Sequence, residues 1–152
     1  HLKAPYMSGE DYHMHYTAAK LQTNLAGKKI LLVEDHKLNM EIAKKILEKK
    51  QMKVTCAYNG AEAVALFEKM PEYTFDAVIM DIRMPVMNGL EAAAAIRAGA
   101  KADAKTIPII AMSANAFAED MEKSRRAGMN RHVAKPVEPE RLFGVLSEIF
   151  SD

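Results

Sequence analysis

Three carboxylates, one hydroxyl and one ammonium stand out because each follows a short apolar run. Glu34 and Asp35 follow Ile30-Leu31-Leu32-Val33, Asp81 follows Ala77-Val78-Ile79-Met80, Ser113 ends Ile107–Met112, and Lys135 comes after His132–Ala134. If those runs end on one rim, Glu34, Asp35 and Asp81 crowd three negative charges into a small crevice. Like charges that close raise each other's pKa unless they are compensated. Lys135 supplies one positive charge, and a divalent cation would supply the other two. Hard oxygen donors on short side chains suit Mg²⁺. Between a metal and an ammonium, a carboxylate can accept a phosphoryl group, because both cations stabilise charge on the transferring oxygens. Asp81 is the natural nucleophile, since carboxylates form acyl phosphates. The Ser113 hydroxyl can donate to a phosphoryl oxygen.

The elements that must position these groups are legible from Lys28 onward. Ile30–Val33 is a continuous apolar run, the pattern of a strand buried on both faces. A helix follows with Ile42, Ala43, Ile46 and Leu47 as its inward face. Met52–Tyr58 predicts a second strand, and Ala61–Met70 a helix with Val64 and Phe67 inward. Phe75–Met80 is the third strand, followed by an alanine-rich helix at Leu90–Ala98. Ile107–Met112 is the fourth strand, and Phe117–Ala127 a helix stopped by Gly128. His132–Ala134 is a short fifth strand, and Glu138–Phe150 the last helix, with Leu142, Val145, Leu146 and Ile149 inward. Strict strand–helix alternation predicts an α/β fold with a parallel sheet and helices on both faces. The expected order of the five strands is 2-1-3-4-5, the flavodoxin-like order, which puts the site outside their carboxyl ends.

From about Lys28 to Ser151 the chain resembles the receiver domain of two-component response regulators. The residues that carry the resemblance are Val33-Glu34-Asp35, Met80-Asp81-Ile82-Arg83-Met84-Pro85 with Met87 and Gly89, Ala111-Met112-Ser113-Ala114, and Lys135-Pro136. Glu34 through Asn39 and the methionine-rich loop after Asp81 are most similar to receivers of hybrid sensor histidine kinases. The resemblance implies that Asp81 is the phosphoacceptor, charged from a kinase phosphohistidine. It implies that Asp35 and Asp81 bind Mg²⁺ directly, Glu34 through water, and Arg83 through its backbone carbonyl. Ser113 would bind the phosphoryl group, Lys135 would pair with it, and the Lys135–Pro136 bond would be cis. Arg83 and Asn115 would tune the lifetime of the phosphorylated state. Such chains switch a partner-binding face and have only weak self-phosphorylating and self-dephosphorylating chemistry. The implied partners are a sensor histidine kinase or a histidine phosphotransfer protein. A homodimer through the fourth helix, fifth strand and fifth helix is a further possibility. His132 stands where relatives carry Tyr or Phe, so a switch at that position would be a histidine.

Composition narrows the alternatives. The 152 residues are 49% hydrophobic and 27% charged, enough for one domain with a real core. Lone Cys56 permits no internal disulfide and fits a reducing, cytoplasmic setting. No apolar run approaches the ~18 residues that span a bilayer. A net charge of +1 argues against a basic nucleic-acid face. The first 27 residues hold Tyr6, Tyr12, Tyr16, His1, His13 and His15, with a short helix expected at Tyr16–Leu25. They read as a linker, an expression-tag remnant or the end of a preceding segment, with the receiver at 28–152. His13-x-His15 is a poor metal site, having two ligands on an arm. An aspartate-nucleophile phosphatase would want an acid two residues beyond Asp81, where Arg83 stands. A flavin-binding protein would want hydroxyls and glycines after the first strand, where Glu34 and Asp35 would repel a phosphate. A phosphorylation-independent interaction module is the alternative that the acidic set opposes.

Overall fold

The computed structural model describes residues 24–114 and 118–151. Five strands and five helices alternate among them. β1 (Lys29–Val33), α1 (Lys37–Lys49), β2 (Lys53–Ala57), α2 (Gly60–Lys69) and β3 (Ala77–Asp81) form the first half. α3 (Gly89–Arg97), β4 (Ile109–Ser113), α4 (Ala118–Arg126), β5 (Arg131–Ala134) and α5 (Pro139–Phe150) form the second. The strands make one sheet in the order β2-β1-β3-β4-β5, as expected, and every pairing is parallel. The central β3 and β4 are buried at all five positions, which explains their unbroken apolar runs.

Alternation along each strand sorts side chains into two cores. Leu31, Val33, Val78, Met80, Ile109 and Ala111 face α2 and α3, packing on Ala63, Phe67, Ala92 and Ile96. Ile30, Leu32, Ile79, Ile110, Met112 and Val133 face α1 and α5, packing on Met40, Ala43, Leu47, Leu142 and Leu146. Leu25 is buried in this second core, so the chain already packs on the sheet before β1 begins. The rest of the expected helix at Tyr16–Leu25, and the arm's tyrosines and histidines, lie outside the described residues; Asn24 and Leu25 themselves are not helical.

Three expectations need correction. The third strand runs Ala77–Asp81 rather than Phe75–Met80, with Phe75 buried ahead of it. The buried stripe of α1 is Met40, Ala43 and Leu47, with Ile46 partly buried, whereas Ile42 is 48% exposed. Ile42 lies two residues from Met40, about 200° around the helix, so both cannot face the sheet. The fourth strand starts at Ile109 rather than Ile107. Pro108 has no N–H to give to a ladder, although its carbonyl accepts from Val78 N–H at 2.9 Å and Ile107 is still buried.

Gly128 ends α4 as expected, through a Schellman arrangement. Gly128 N–H donates to Arg125 O and Met129 N–H to Ser124 O, both at 3.0 Å, with Gly128 at φ +104°. A Cβ there would also stand 2.8 Å from Arg97 Cγ. The Arg97 guanidinium donates to Gly128 O through Nε (3.0 Å) and Nη2 (2.8 Å), so it cannot swing aside without breaking those bonds. Gly128→Ala is therefore expected to cost about 2 kcal/mol. A thermal melt followed by circular dichroism should show a drop of roughly 4–8 °C.

Candidate functional site

Register brings the chemistry-bearing residues together at the carboxyl ends of the strands. Val33 pairs with Met80 across β1 and β3, so Glu34 and Asp81, each one step further on, are neighbours. Asp81 pairs with Met112, placing Ser113 one step beyond on β4. Ser113 pairs with Ala134, and Lys135 N–H donates to Ser113 O at 2.9 Å, which fixes the lysine at the same rim. Glu34, Asp81 and Ser113 are buried while Asp35 is exposed. One carboxylate oxygen from each of Glu34, Asp35 and Asp81 lies within 4.8 Å of the others.

Lys135 spans the crevice. Its ammonium lies 2.8 Å from Asp81 Oδ2 and 2.9 Å from Glu34 Oε1. Backbone donors add to this: His36 N–H gives to Glu34 Oε2 at 3.0 Å, and Arg83 N–H to Asp81 Oδ1 at a long 3.3 Å. His36 is the N-cap of α1 and makes no side-chain cap; its own backbone N–H is the one that Glu34 accepts. The Lys135–Pro136 bond is cis.

Burial pushes the Glu34 carboxyl above its usual range, and the nearby Asp81 charge adds to the rise; the hydrogen bonds from Lys135 and His36 oppose it without cancelling it. Burial alone would lower the Lys135 ammonium, but its hydrogen bonds to Asp81 and then Glu34 prevail and hold it above the ordinary lysine value. A carboxyl raised on folding contributes stability that is present below its unfolded pKa, near 4.5, and is lost as pH rises through the folded value. Metal-free protein should thus lose stability on going from pH 4.5 toward neutrality, in the part of the profile due to Glu34. Glu34→Gln should flatten that part and raise the metal-free melting temperature at pH 7. A Tm series across pH, with and without Mg²⁺, checks this, and the gain should vanish with metal because the variant binds it less well.

The donor set fits a hard divalent cation: three carboxylates converge, and the Lys135 ammonium offsets one of their three charges. The loop after Asp81 is closely built. Gly89 N–H donates to Ile82 O at 2.8 Å, and a Cβ on Gly89 would collide with Asp81 O. Asn88 and Glu91 form a reciprocal capping box that starts α3.

The sequence-expected residues Glu34, Asp35, Asp81, Ser113 and Lys135 therefore share one rim, with the exposed Arg83 on the loop leaving it. His132 is not among them. It sits half-buried on β5 and lines a separate groove of about 510 Å³ with Met121 and Met129. Asn115 lies outside the described residues. Two positions went unread in the sequence: Gly60, whose N–H donates to Met87 O on the loop after β3, and Val86, held at φ +71°. The Asn59-Gly60 pair before a helical run was the available signal for the first.

Comparison with known proteins agrees with this geometry. Residues 30–147 match the model of the response regulator receiver domain. Hybrid signal transduction histidine kinase I of Dictyostelium discoideum is 35% identical over 79% of this chain and 7% of its own length. Histidine kinase 3 of Arabidopsis thaliana is 33% identical over 91% of this chain and 15% of its own length. The chain thus spans a small part of these relatives. Among solved structures, the receiver domain of sensor histidine kinase PA1611 from Pseudomonas aeruginosa PAO1, with a magnesium ion in its active-site cleft, is similar. It is 36% identical with a TM-score of 0.75, covering 84% of this chain and all of that one. Chemotaxis protein CheY4 of Vibrio cholerae is 28% identical with a TM-score of 0.73, over 82% of this chain and all of that one. By its match over residues 30–147 and by its fold, this chain belongs to the response regulator receiver domain family of two-component signalling.

Proposed function

We propose that Asp81 is the phosphoacceptor of this receiver, charged by a phosphohistidine on a sensor histidine kinase or a histidine phosphotransfer protein. The observation that carries the reading is the Lys135 ammonium shared between Asp81 Oδ2 and Glu34 Oε1 beside three converging carboxylates. Lys135 holds Oδ2, which leaves Oδ1, touched by Arg83 N–H at 3.3 Å, to attack. An oxygen–phosphorus bond forms as the phosphorus–nitrogen bond breaks, and the electron pair leaves on the imidazole nitrogen. Asp35 and Asp81 would hold Mg²⁺ directly, Glu34 through water and Arg83 through its carbonyl. When bound, the metal supplies positive charge against the phosphoryl oxygens.

The product carries about −2 where a carboxylate carried −1. Lys135 pairs with the new group, and Ser113 donates to one of its oxygens. Drawing Ser113 inward shifts the population of the face made by α4, β5 and α5, with half-buried His132 as the switch residue on β5. That face would meet an output partner or a second copy, without direct contact to nucleic acid. Arg83 and Asn115 would set how fast water removes the phosphoryl group. The chain works as a signalling phosphoacceptor rather than a turnover enzyme. Exposed Leu38 and Ile42, one turn apart at the start of α1, give a donor protein an apolar foothold near the rim.

Residues 28–152 form the receiver and the preceding segment its connector, with Leu25 the point where the connector meets the core. Among the described residues no helix is long and apolar enough to cross a membrane; the proposed site of action is the cytoplasm, where phosphohistidine donors work. Intact mass after incubation with Mg²⁺ and a small acyl phosphate tests the reading. One added phosphoryl group, dependent on Mg²⁺, is expected. No addition from that donor or from a histidine-phosphorylated protein would favour a phosphorylation-independent interaction module.

A further inference from the structure

The loop joining β3 to α3 is gripped at both ends and strained at its apex. Val86 has φ +71°, a region that a β-branched residue strongly disfavours. Met87 N–H donates to Pro85 O at 2.8 Å, which closes a three-residue γ-turn around it. The Val86 side chain is 83% exposed, so burial does not compensate for the strain. Strain of this kind persists only where the surroundings impose the conformation.

The surroundings here are the first turn of α2. Gly60 N–H donates to Met87 O at 2.9 Å. A Cβ on Gly60 would stand 2.5 Å from Met87 O and 2.9 Å from Asn88 O, so only glycine admits this approach. Gly60 is the first residue of α2, directly after the N-cap Asn59. The glycine is there for the close approach, not for helix stability. On the far side, Gly89 N–H and Ile82 O close the loop at 2.8 Å.

We propose that Gly60 is a positioning residue for the phosphoacceptor loop. Its contact with Met87 holds the strained turn at Val86, and the turn in turn sets where the Arg83 carbonyl stands beside Asp81. The inference rests on the reading of Asp81 and its divalent cation given above. It goes further in assigning part of the metal affinity to a helix that contributes no ligand.

The test uses Gly60→Ala and Val86→Gly in the 152-residue chain, with Mg²⁺ titrated by calorimetry and phosphorylation by a small acyl phosphate followed by mass. With Gly60→Ala, half-saturating Mg²⁺ should rise about tenfold while the rate at saturating Mg²⁺ stays within about threefold, a split expected when ligand placement rather than the nucleophile is disturbed. The Met87 and Gly89 amides should also exchange faster in the metal-free variant. Val86→Gly should raise the melting temperature by relieving strain, yet weaken Mg²⁺ binding by freeing the loop. Folded Gly60→Ala with wild-type Mg²⁺ affinity would overturn the proposal. If Gly60→Ala does not fold, Val86→Gly decides: unchanged Mg²⁺ affinity overturns the proposal. Wild-type protein that neither binds Mg²⁺ nor accepts a phosphoryl group would instead remove the underlying reading.

Discussion

Asp81→Asn should abolish phosphoryl acceptance while making the metal-free protein more stable. The amide keeps the shape of the side chain but has no anionic oxygen to attack phosphorus. It also removes one of three carboxylates, so Mg²⁺ affinity should fall by about tenfold or more. The gain in stability comes from the same change. Glu34 and Asp81 are both buried and share one ammonium, and the Asp81 charge helps to raise the Glu34 carboxyl. Replacing one of two crowded anions with a neutral amide leaves Lys135 paired one-to-one with Glu34. Removing a member of an over-charged buried cluster stabilises when the partner left behind is still compensated, here by roughly 1 kcal/mol. Urea melts without metal should move to higher denaturant, and intact-mass assays with Mg²⁺ should show no adduct.

Lys135→Met should act in the opposite sense on stability and in a divided way on function. The substitution leaves Glu34 and Asp81 buried side by side without the ammonium they share. Breaking a buried ion pair by deleting one partner costs about 3 kcal/mol, and for a chain of this size that is a fall of roughly 6–12 °C in Tm. Mg²⁺ should bind more tightly, because a cation no longer stands against it. Phosphoryl acceptance should nonetheless slow by about 10²–10³, since the charge that meets the transferring oxygens is gone. Calorimetry and initial phosphorylation rates on one preparation separate the two effects. Tighter metal with slower transfer is the expected pair of results. A parallel loss of both would mean that the lysine only shapes the pocket.

The parts of the fold and the site that could be read in the sequence share a physical cause. Strands buried on both faces must be continuous apolar runs, and a polar residue just after such a run must sit on the rim. Glu34, Asp35, Asp81, Ser113 and Lys135 were therefore visible by position alone. Gly128 was visible because ending a helix with a left-handed residue strongly favours glycine. What escaped depends on geometry between elements. The inward face of α1 turned on where the helix begins, which moved the stripe from Ile42 to Met40. Whether Lys135 would reach Glu34 as well as Asp81 depended on the order of strands and the length of a flexible stem. The approach of Gly60 to Met87 joins residues 27 positions apart on two different helix–loop units. A glycine directly after an N-cap asparagine reads as a helix start and does not say which loop comes close. Val86 carries no signal of strain in its type, since valine is ordinary in sequence and unusual only at that φ.

The central claim is that one carboxylate, Asp81, receives the phosphoryl group. The most direct measurement is to load the wild-type chain with a histidine-phosphorylated donor protein and Mg²⁺, reduce the acyl phosphate with borohydride, and sequence the peptides by mass spectrometry. The reduced residue, which marks the phosphorylated carboxyl, is predicted at position 81 and nowhere else. Reduction at Glu34 or Asp35, or a stable adduct on Ser113 that borohydride leaves untouched, would contradict the account.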